Sequence, residues 1–172
     1  RNSGAHTRRR PASGGESIEM YNHAPEGYAC PFCYLVRQAE GNGLEPMVYR
    51  DDVMTAFISL HRCPDHPGHA LVIPNEHHEN IYDLPLDLAT RIHECARALA
   101  LAMKKVCACD GVSIVQNNEP PGQDVWHYHV HVYPRYQGDN LYAGRRETTT
   151  IEERAAFAGQ LSAGLGDWTP SA

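Results

Sequence analysis

The stretch HYHVHVYPR, residues 127–135, places a histidine at every second position. Successive side chains of a β-strand point to opposite faces of the sheet, so the alternation predicts that His127, His129 and His131 share one face. The tyrosine and the valines between them fall on the opposite face and can pack against an apolar core. The pattern therefore predicts a strand, buried on one side, whose imidazoles line a cleft.

The rest of the chain combines short apolar runs with two helical repeats. Further strands are predicted at residues 47–50, 53–59, 69–74 and 112–118, which turn-forming segments separate. Apolar residues recur every three or four positions over about 85–109, the spacing of a long amphipathic helix. The segment TTTIEERAAFAGQLSAGL, residues 148–165, starts with threonine caps ahead of glutamates and predicts a C-terminal helix. This order favours an α+β domain with a mostly antiparallel sheet.

The length of 172 residues is near that of one domain. Residues 1–19 are rich in Arg, Gly, Ser and Pro without periodicity, which predicts a disordered N-terminal tail. The folded domain is predicted to span residues 20–140. Residues 141–172 are predicted to form a C-terminal extension that carries the last helix.

Charge and hydropathy exclude several classes of protein. The formal net charge is −6, which argues against a main role in gripping a nucleic-acid polymer but permits a small nucleotide. No apolar run approaches the roughly 18–20 residues that cross a bilayer, and no apolar signal core follows the basic start. The expected location is therefore the cytoplasm, without membrane association.

The three histidines can serve as nucleophile, base or metal ligand. Neighbouring imidazoles that all carried an extra proton would repel one another, so part of the cluster should be neutral near neutral pH. Two alternatives stand beside a nucleophile site. The histidines could form the polar face of a sheet, or they could bind one metal ion, because side chains two residues apart on a strand can reach the same ion.

The segment GQDVWHYHVHVYPR, residues 122–135, resembles the signature of the histidine triad superfamily, in which His-x-His-x-His follows a Gly-Gln pair. The likeness extends upstream through VYRDDVMTAFISL, PGHALVIPNEHHENIYDLP and VQNN, and so covers roughly residues 30–135. The resemblance implies a two-layer α+β fold and a homodimer formed through the long helix and a shared sheet. It also implies hydrolysis or transfer of nucleoside monophosphate groups, with attack at the phosphate next to the ribose.

The resemblance further implies roles for individual residues. His129 corresponds to the nucleophile, which forms a covalent nucleotidyl-histidine intermediate that water then hydrolyses. Such a nucleophile requires a neutral imidazole whose second nitrogen donates to an acceptor, commonly a backbone carbonyl. His131 corresponds to a histidine that stabilises charge on the leaving group. The implied substrate-binding residues are His69, Asn117, Gln123 and Ser59.

A second constellation centres on the CPFC sequence, residues 30–33. Thiolates together with imidazoles favour tetrahedral zinc. A bacterial subset of the resembled family carries a structural zinc, whose ligands correspond here to Cys30, Cys33, His77 and His127. Four protein ligands would close the site, tie the N-terminal segment to the sheet and leave no position for a reactive water. The alternatives are reduced cysteines in a short helix, and His78 in place of His77.

Two positions depart from the family pattern. Ser59 stands where many members have an aspartate that binds the ribose hydroxyls, and a neutral hydroxyl should hold a diol less firmly. Asp124 stands where serine or threonine is common. Its carboxylate would repel phosphate unless it is neutralised or points away.

The sequence therefore predicts a homodimeric cytoplasmic hydrolase or nucleotidyl transferase that uses His129. Its expected substrates are dinucleoside polyphosphates, nucleoside phosphoramidates or related compounds. The first alternative is a non-catalytic nucleotide-binding or zinc-stabilised interaction protein on the same fold, which Ser59 and Asp124 favour. The second is a metalloenzyme that uses all three triad histidines as a catalytic metal face.

Overall fold

Three helices and seven strands make up the part of the chain that the computed structural model describes, residues 21–39, 46–63, 66–142 and 146–171. The predicted tail, residues 1–19, lies outside these ranges. The helices are α1 (Pro31–Ala39), α2 (Leu86–Val106) and α3 (Ile151–Leu165). The strands are β1 (Met47–Arg50), β2 (Met54–Ile58), β3 (His61–Arg62), β4 (Ala70–Pro74), β5 (Gly111–Gln116), β6 (Val130–Arg135) and β7 (Glu147–Thr148).

The main sheet has five strands in the order β1-β2-β4-β6-β5, and β3 pairs separately with β7. Every pair in both sheets is antiparallel. The structure therefore confirms the predicted α+β fold with a mostly antiparallel sheet. Strand β6, which carries the last triad histidine, lies between β4 and the edge strand β5, and Leu71 of β4 is opposite His131.

Helices α2 and α3 pack on one face of the main sheet and enclose its larger apolar core. Tyr128, Val130 and Val132 point into this core, where they meet side chains such as Leu99 of α2 and Leu161 of α3. All five are essentially inaccessible to solvent. The alternation in the triad segment thus has the predicted consequence, because its apolar side faces the core and its imidazoles face away from it.

The opposite face of the sheet carries α1. Leu35 and Val36 of this short helix pack on Phe57, Leu71 and Ile73, which alternate along β2 and β4 with residues of the larger core. Because side chains alternate between the two faces along each strand, β2 and β4 contribute to an apolar layer on both faces of the sheet. The position of α1 matters for function because the helix stands beside the triad imidazoles.

The long helix is shorter than its predicted span of about 85–109. Pro85 occupies the N-cap, and the helix ends at Val106 with Cys107 as C-cap. Ala108 then adopts a positive φ of 49°, and the Lys104 ammonium donates to the carbonyls of Cys109 and Asp110. Cys109 is buried in the core from this turn, which explains why the apolar repeat ran past the end of the helix.

The C-terminal helix forms where the threonine caps predicted it. The Thr150 hydroxyl accepts from the Glu153 amide while the Glu153 carboxylate accepts from the Thr150 amide, a reciprocal capping box. Phe157 approaches Gly68 closely, since a Cβ added at Gly68 would lie 3.2 Å from its ring. With φ at +83° as well, Gly68 lets α3 pack directly beside the segment that carries His69.

Within the residues that the structure describes, none of the helices combines the length and the apolar character needed to cross a membrane.

Candidate active site and metal centre

A cavity of about 810 Å³ opens on the histidine face of the main sheet. Phe32 of α1 and Phe57 of β2 form part of an apolar wall, and the β3–β7 sheet contributes Arg62 to the lining. His129 and His131 belong to the lining. Cavities of this size, mostly apolar with a few converging polar groups, are typical of small-molecule sites.

The backbone fixes the tautomer of His129. Its Nδ1 lies 2.7 Å from the His127 carbonyl oxygen, and because a carbonyl only accepts, this nitrogen carries the proton. The lone pair of a neutral ring is then on Nε2. His129 is only 3% exposed and the Phe32 ring stands edge-on to it at 5.4 Å between centroids. The ring is therefore held in one orientation with a bare nitrogen, as a nucleophile requires.

His131 and His69 form a hydrogen-bonded imidazole pair. His69 donates through Nδ1 to the His61 carbonyl at 2.9 Å, so its Nε2 accepts from His131 Nδ1 at 3.0 Å. Tyr133 stacks on His69 with 4.0 Å between the ring centroids. His131 therefore carries its proton on Nδ1 and its lone pair on Nε2. Nε2 could donate a hydrogen bond only if the ring took up a second proton.

Burial keeps these imidazoles neutral. It lowers the pKa of His131 to about 2 and that of His69 to about 3. Burial also lowers the pKa of His129, while the hydrogen bond to the His127 carbonyl raises it. Neutral rings at neutral pH can attack an electrophile or accept a proton.

Cys30, Cys33, His77 and His127 form a group whose potential ligand atoms all lie within 4.8 Å of one another. The Cys30 sulfur is 3.3 Å from His127 Nδ1, and the Cys33 sulfur is 3.3 Å from His77 Nδ1. Tetrahedral zinc with ordinary bond lengths separates sulfur and nitrogen ligands by roughly 3.5 Å. The spacing therefore fits a zinc ion, and the donor set of two thiolates and two imidazoles is one that zinc prefers.

His127 is oriented for this group and not for the cavity. Its Nε2 donates to the Pro74 carbonyl at 3.0 Å, which leaves Nδ1 bare and directed at the two cysteine sulfurs. A backbone acceptor behind a ligating imidazole is a common support of metal sites. His78 points elsewhere, with its ring nitrogens 3.9 Å from Glu76 and 4.0 Å from Asp83. The geometry selects His77 over His78.

The triad histidines thus have different surroundings. Of the residues with assigned positions, the only group with metal-binding geometry includes His127 and excludes His129 and His131. A single metal held by all three imidazoles therefore finds no support in the structure.

The predicted substrate-binding residues divide into two groups. Ser59 and His69 line the cavity, although the Ser59 hydroxyl already accepts from the His61 amide at 3.2 Å. Gln123 is turned inward, where its amide nitrogen donates to the Glu79 and Val125 carbonyls and its oxygen accepts from the Glu119 amide. Contact of Gln123 with phosphate stays a prediction.

Asn117 does not belong to the cavity lining. It packs against Gly122, since a Cβ added at Gly122 would lie 3.1 Å from the Asn117 Cβ. Its contact with substrate also stays a prediction.

Other cavity residues were not identified from the sequence. Phe32 lies between the two cysteines of the CPFC sequence, and only the docking of α1 shows that its ring reaches the triad. Arg146 reaches the cavity because β7 pairs with β3, and its guanidinium forms a 3.2 Å ion pair with Asp124. The Asp124 carboxylate is therefore paired with a positive charge at the cavity edge. This is one of the two conditions under which Asp124 would not repel a phosphate.

Known proteins resemble this chain in sequence. A family model described as the HIT domain matches residues 42–138. An uncharacterised HIT-like protein of Saccharolobus solfataricus is 35% identical over 111 residues, which are 64% of this chain and 76% of that protein. An adenosine 5'-monophosphoramidase of Saccharomyces cerevisiae is 31% identical, with 62% of this chain and 63% of that protein covered. An adenylylsulfatase of Arabidopsis thaliana is 26% identical, with 74% and 64% covered.

Solved structures resemble it as well. A HIT-like protein from Bartonella henselae superposes with a TM-score of 0.69 at 29% identity, covering 81% of this chain and 99% of that one. A zinc-bound histidine triad family protein from Mycobacterium smegmatis gives a TM-score of 0.66 at 27% identity, covering 80% and 93%.

Proposed function

Because this chain belongs to the histidine triad (HIT) family, we propose that it is a nucleotide hydrolase or nucleotidyl transferase that acts at the phosphate next to the ribose. Its substrates are nucleoside phosphoramidates, dinucleoside polyphosphates or related nucleotidyl compounds. Support comes from relatives named as an adenosine 5'-monophosphoramidase and an adenylylsulfatase, which share a nucleoside monophosphate as the transferred unit.

One observation carries the proposal: His129 donates through Nδ1 to the His127 carbonyl and keeps a bare Nε2 at the cavity. In the first step, Nε2 attacks phosphorus and forms an N–P bond. The bond from phosphorus to the leaving group breaks. A phosphate or sulfate leaving group keeps the electron pair as an anion, whereas the nitrogen of a phosphoramidate takes a proton from solvent water and leaves as a neutral amine. The covalent step divides one difficult displacement into two easier ones.

Water completes the reaction. Its oxygen attacks phosphorus, the N–P bond breaks, and the electron pair returns to His129 Nε2. His131 Nε2 accepts a hydrogen bond from this water and orients it, because the hydrogen bond to His69 leaves a lone pair on that atom. The water proton passes to the solvent. The family resemblance instead implied that His131 donates a hydrogen bond to the leaving group. A neutral His131 could donate only through Nδ1, and that proton is already donated to His69.

The test is turnover of adenosine 5'-phosphoramidate and diadenosine tetraphosphate by the wild type, by His129→Ala and by His93→Ala. His93 is an exposed histidine of α2 and serves as the matched control. The proposal expects His129→Ala to lose at least about 1000-fold in kcat, as loss of a covalent nucleophile does in other enzymes. Full turnover by His129→Ala would refute it.

A second candidate is a nucleotide-binding protein without turnover on the same fold. It is favoured by the inward orientation of Gln123, whose amide is used by the 119–125 loop. Binding of AMP by calorimetry, together with no turnover of either substrate by fully metal-loaded wild type, would establish this candidate.

We further propose that Cys30, Cys33, His77 and His127 hold a structural zinc. The sulfur–nitrogen spacings near 3.3 Å and the carbonyl behind His127 support it, as does the zinc-bound relative from Mycobacterium smegmatis. Zinc with four protein ligands supplies a cross-link and no reactive water. Here it would join α1 to the segments that carry the two histidines.

We also propose a homodimer in the cytoplasm. Support for the dimer comes from apolar side chains left on the surface of the long helix and of the edge strand. Leu86 and Leu101 of α2 are 85% and 56% exposed, and Ile114 of β5 is 44% exposed. Fifteen residues are four turns of an α-helix plus about 60°, so the two leucines lie on neighbouring parts of its surface that a second copy can cover together.

A further inference from the structure

Apolar and charged side chains both line the cavity. Phe32, Leu35 and Phe57 belong to the apolar wall that α1 and β2 form, which suits the flat ring of a nucleobase. Of the cavity-lining residues with assigned positions, only Asp124, Arg62 and Arg146 carry a permanent charge near neutral pH. A substrate bound against His129 therefore shares the cavity with these charged groups.

The two arginines differ in the number of their acidic partners and in their exposure. Arg62 is paired with Glu153 at 3.4 Å and with Glu147 at 3.8 Å, and its side chain is 28% exposed. In the described part of the chain, Arg146 contacts one acceptor, an Asp124 carboxylate oxygen at 3.2 Å. A guanidinium has five N–H donors in a planar fork. Arg146 therefore keeps donors for a ligand while Asp124 holds it at the cavity.

Arg146 is also electrostatically close to the reacting histidines. Its positive charge is among the causes that lower the pKa of His129, His131 and His69, after burial. The carboxylate of Asp124 acts on His129 in the opposite sense. A pair of opposite charges thus stands beside the nucleophile, with only the guanidinium able to bind an anion.

We propose that Arg146, positioned by Asp124, binds an anionic leaving group, so that this chain prefers nucleotides activated by a phosphoryl or sulfuryl oxygen over nucleoside phosphoramidates. The inference rests on the proposed function and narrows its substrate class. Guanidinium matches phosphate and sulfate oxygens in bidentate fashion, whereas the amine that leaves a phosphoramidate offers no anion to bind. Arg146 stabilises the electron pair that the leaving oxygen gains as its bond to phosphorus breaks.

The kinetic test compares adenosine 5'-phosphosulfate with adenosine 5'-phosphoramidate, which differ only in the leaving group. We expect Arg146→Ala to lower kcat/KM for the phosphosulfate roughly 10- to 100-fold, the effect of losing hydrogen bonds to a charged group. The phosphoramidate should change less than about threefold, since it makes no such contact. Arg146→Lys keeps the charge without the fork and should restore part of the preference.

Arg97, an exposed arginine of α2 away from the cavity, provides the control variant Arg97→Ala. Its kinetics should match those of the wild type for both compounds. Equal losses for both compounds in Arg146→Ala, or no loss for either, would overturn the inference. Because the Arg146 side chain is 59% exposed, its replacement should leave the fold intact, and the melting temperature of each variant checks this.

Binding separates failure of this inference from failure of the proposed function. In the His129→Ala background, calorimetry measures the Kd of each intact compound with and without Arg146→Ala. Tighter binding of the phosphosulfate that disappears in the double variant supports the inference even if the wild type turns over neither compound. Equal Kd values for the two compounds when Arg146 is present refute the inference, even if His129-dependent turnover is observed.

Discussion

Replacing His77 by Ala should detach α1 from the sheet and so impair nucleotide binding. Helix α1 has nine residues, and ordering their backbone costs roughly 9–18 kcal/mol. Burial of Leu35, Val36 and part of Phe32 returns only about 5–8 kcal/mol. A shortfall of several kcal/mol remains, which is within the ~10 kcal/mol or more that a structural zinc site supplies. The larger core between the sheet and α2 and α3 contains no α1 residue, so the effect should be local.

The matched control for this change is His78→Ala, because His78 neighbours His77 but lies outside the cysteine group. We expect metal analysis to find one zinc per chain in the wild type and in His78→Ala, and much less in His77→Ala. Hydrogen exchange of the amides of residues 32–39 should accelerate in His77→Ala, while α2 stays protected. Because α1 forms one wall of the cavity, the Kd for AMP should rise about 10- to 100-fold, in proportion to the loss of the docked form.

Two outcomes would refute this reasoning. Full zinc content in His77→Ala would show that the metal group is assigned wrongly. If zinc is lost but neither hydrogen exchange in α1 nor the Kd for AMP changes, apolar contacts alone hold the helix.

Three further predictions concern pH and packing. Burial lowers the pKa of His69, His129 and His131. Below about pH 6.5 the unfolded chain therefore binds protons that the folded chain does not bind. The free energy of unfolding should fall there by up to ~1.4 kcal/mol per pH unit for each histidine. Urea titrations at several pH values measure it, and constant stability down to about pH 4 would contradict the burial. Tyr128→Phe should stabilise the fold by ~1 kcal/mol, because the buried Tyr128 hydroxyl has no partner among the described residues; a loss of stability in urea denaturation would reveal a missing partner. Leu161→Ala should cost about 2–5 kcal/mol, since Leu161 is fully buried in the larger core; a near-zero cost in the same assay would mean that α3 is dispensable to the fold.

Much of the fold follows from local patterns. Period-two alternation placed Tyr128 and Val130 in the core, and the threonine-glutamate signal located the start of α3. The hydrogen-bonded part of the triad strand nevertheless begins at Val130, because the amides of His127 and Tyr128 donate to the Val125 and His78 carbonyls outside the sheet. Alternation predicts which side chains share a face, but it does not specify where the ladder of backbone hydrogen bonds starts.

The candidate site was only partly predictable for a related reason. The cysteine pair and the histidine triad form dense local motifs, and the spacing of Cys30 and Cys33 already indicated a metal group. Arg146 comes to the cavity through the pairing of β3 with β7, two strands of two residues each, which leave no periodic signal. Gln123 is the opposite case. It belongs to the sequence motif, but its side-chain amide forms hydrogen bonds with the Glu119 amide and the Glu79 carbonyl.

The central claim is that His129 is a nucleophile, and intact-protein mass spectrometry of rapidly quenched reactions tests it most directly. Wild type and His129→Ala are mixed with adenosine 5'-phosphoramidate or diadenosine tetraphosphate and quenched without acid, because a phosphorus–nitrogen bond to imidazole is acid-labile. We predict an added mass of one adenylyl group, adenosine monophosphate less one water, in the wild type and none in His129→Ala. An adduct of equal yield in both proteins, or no adduct together with unimpaired turnover by His129→Ala, would contradict it.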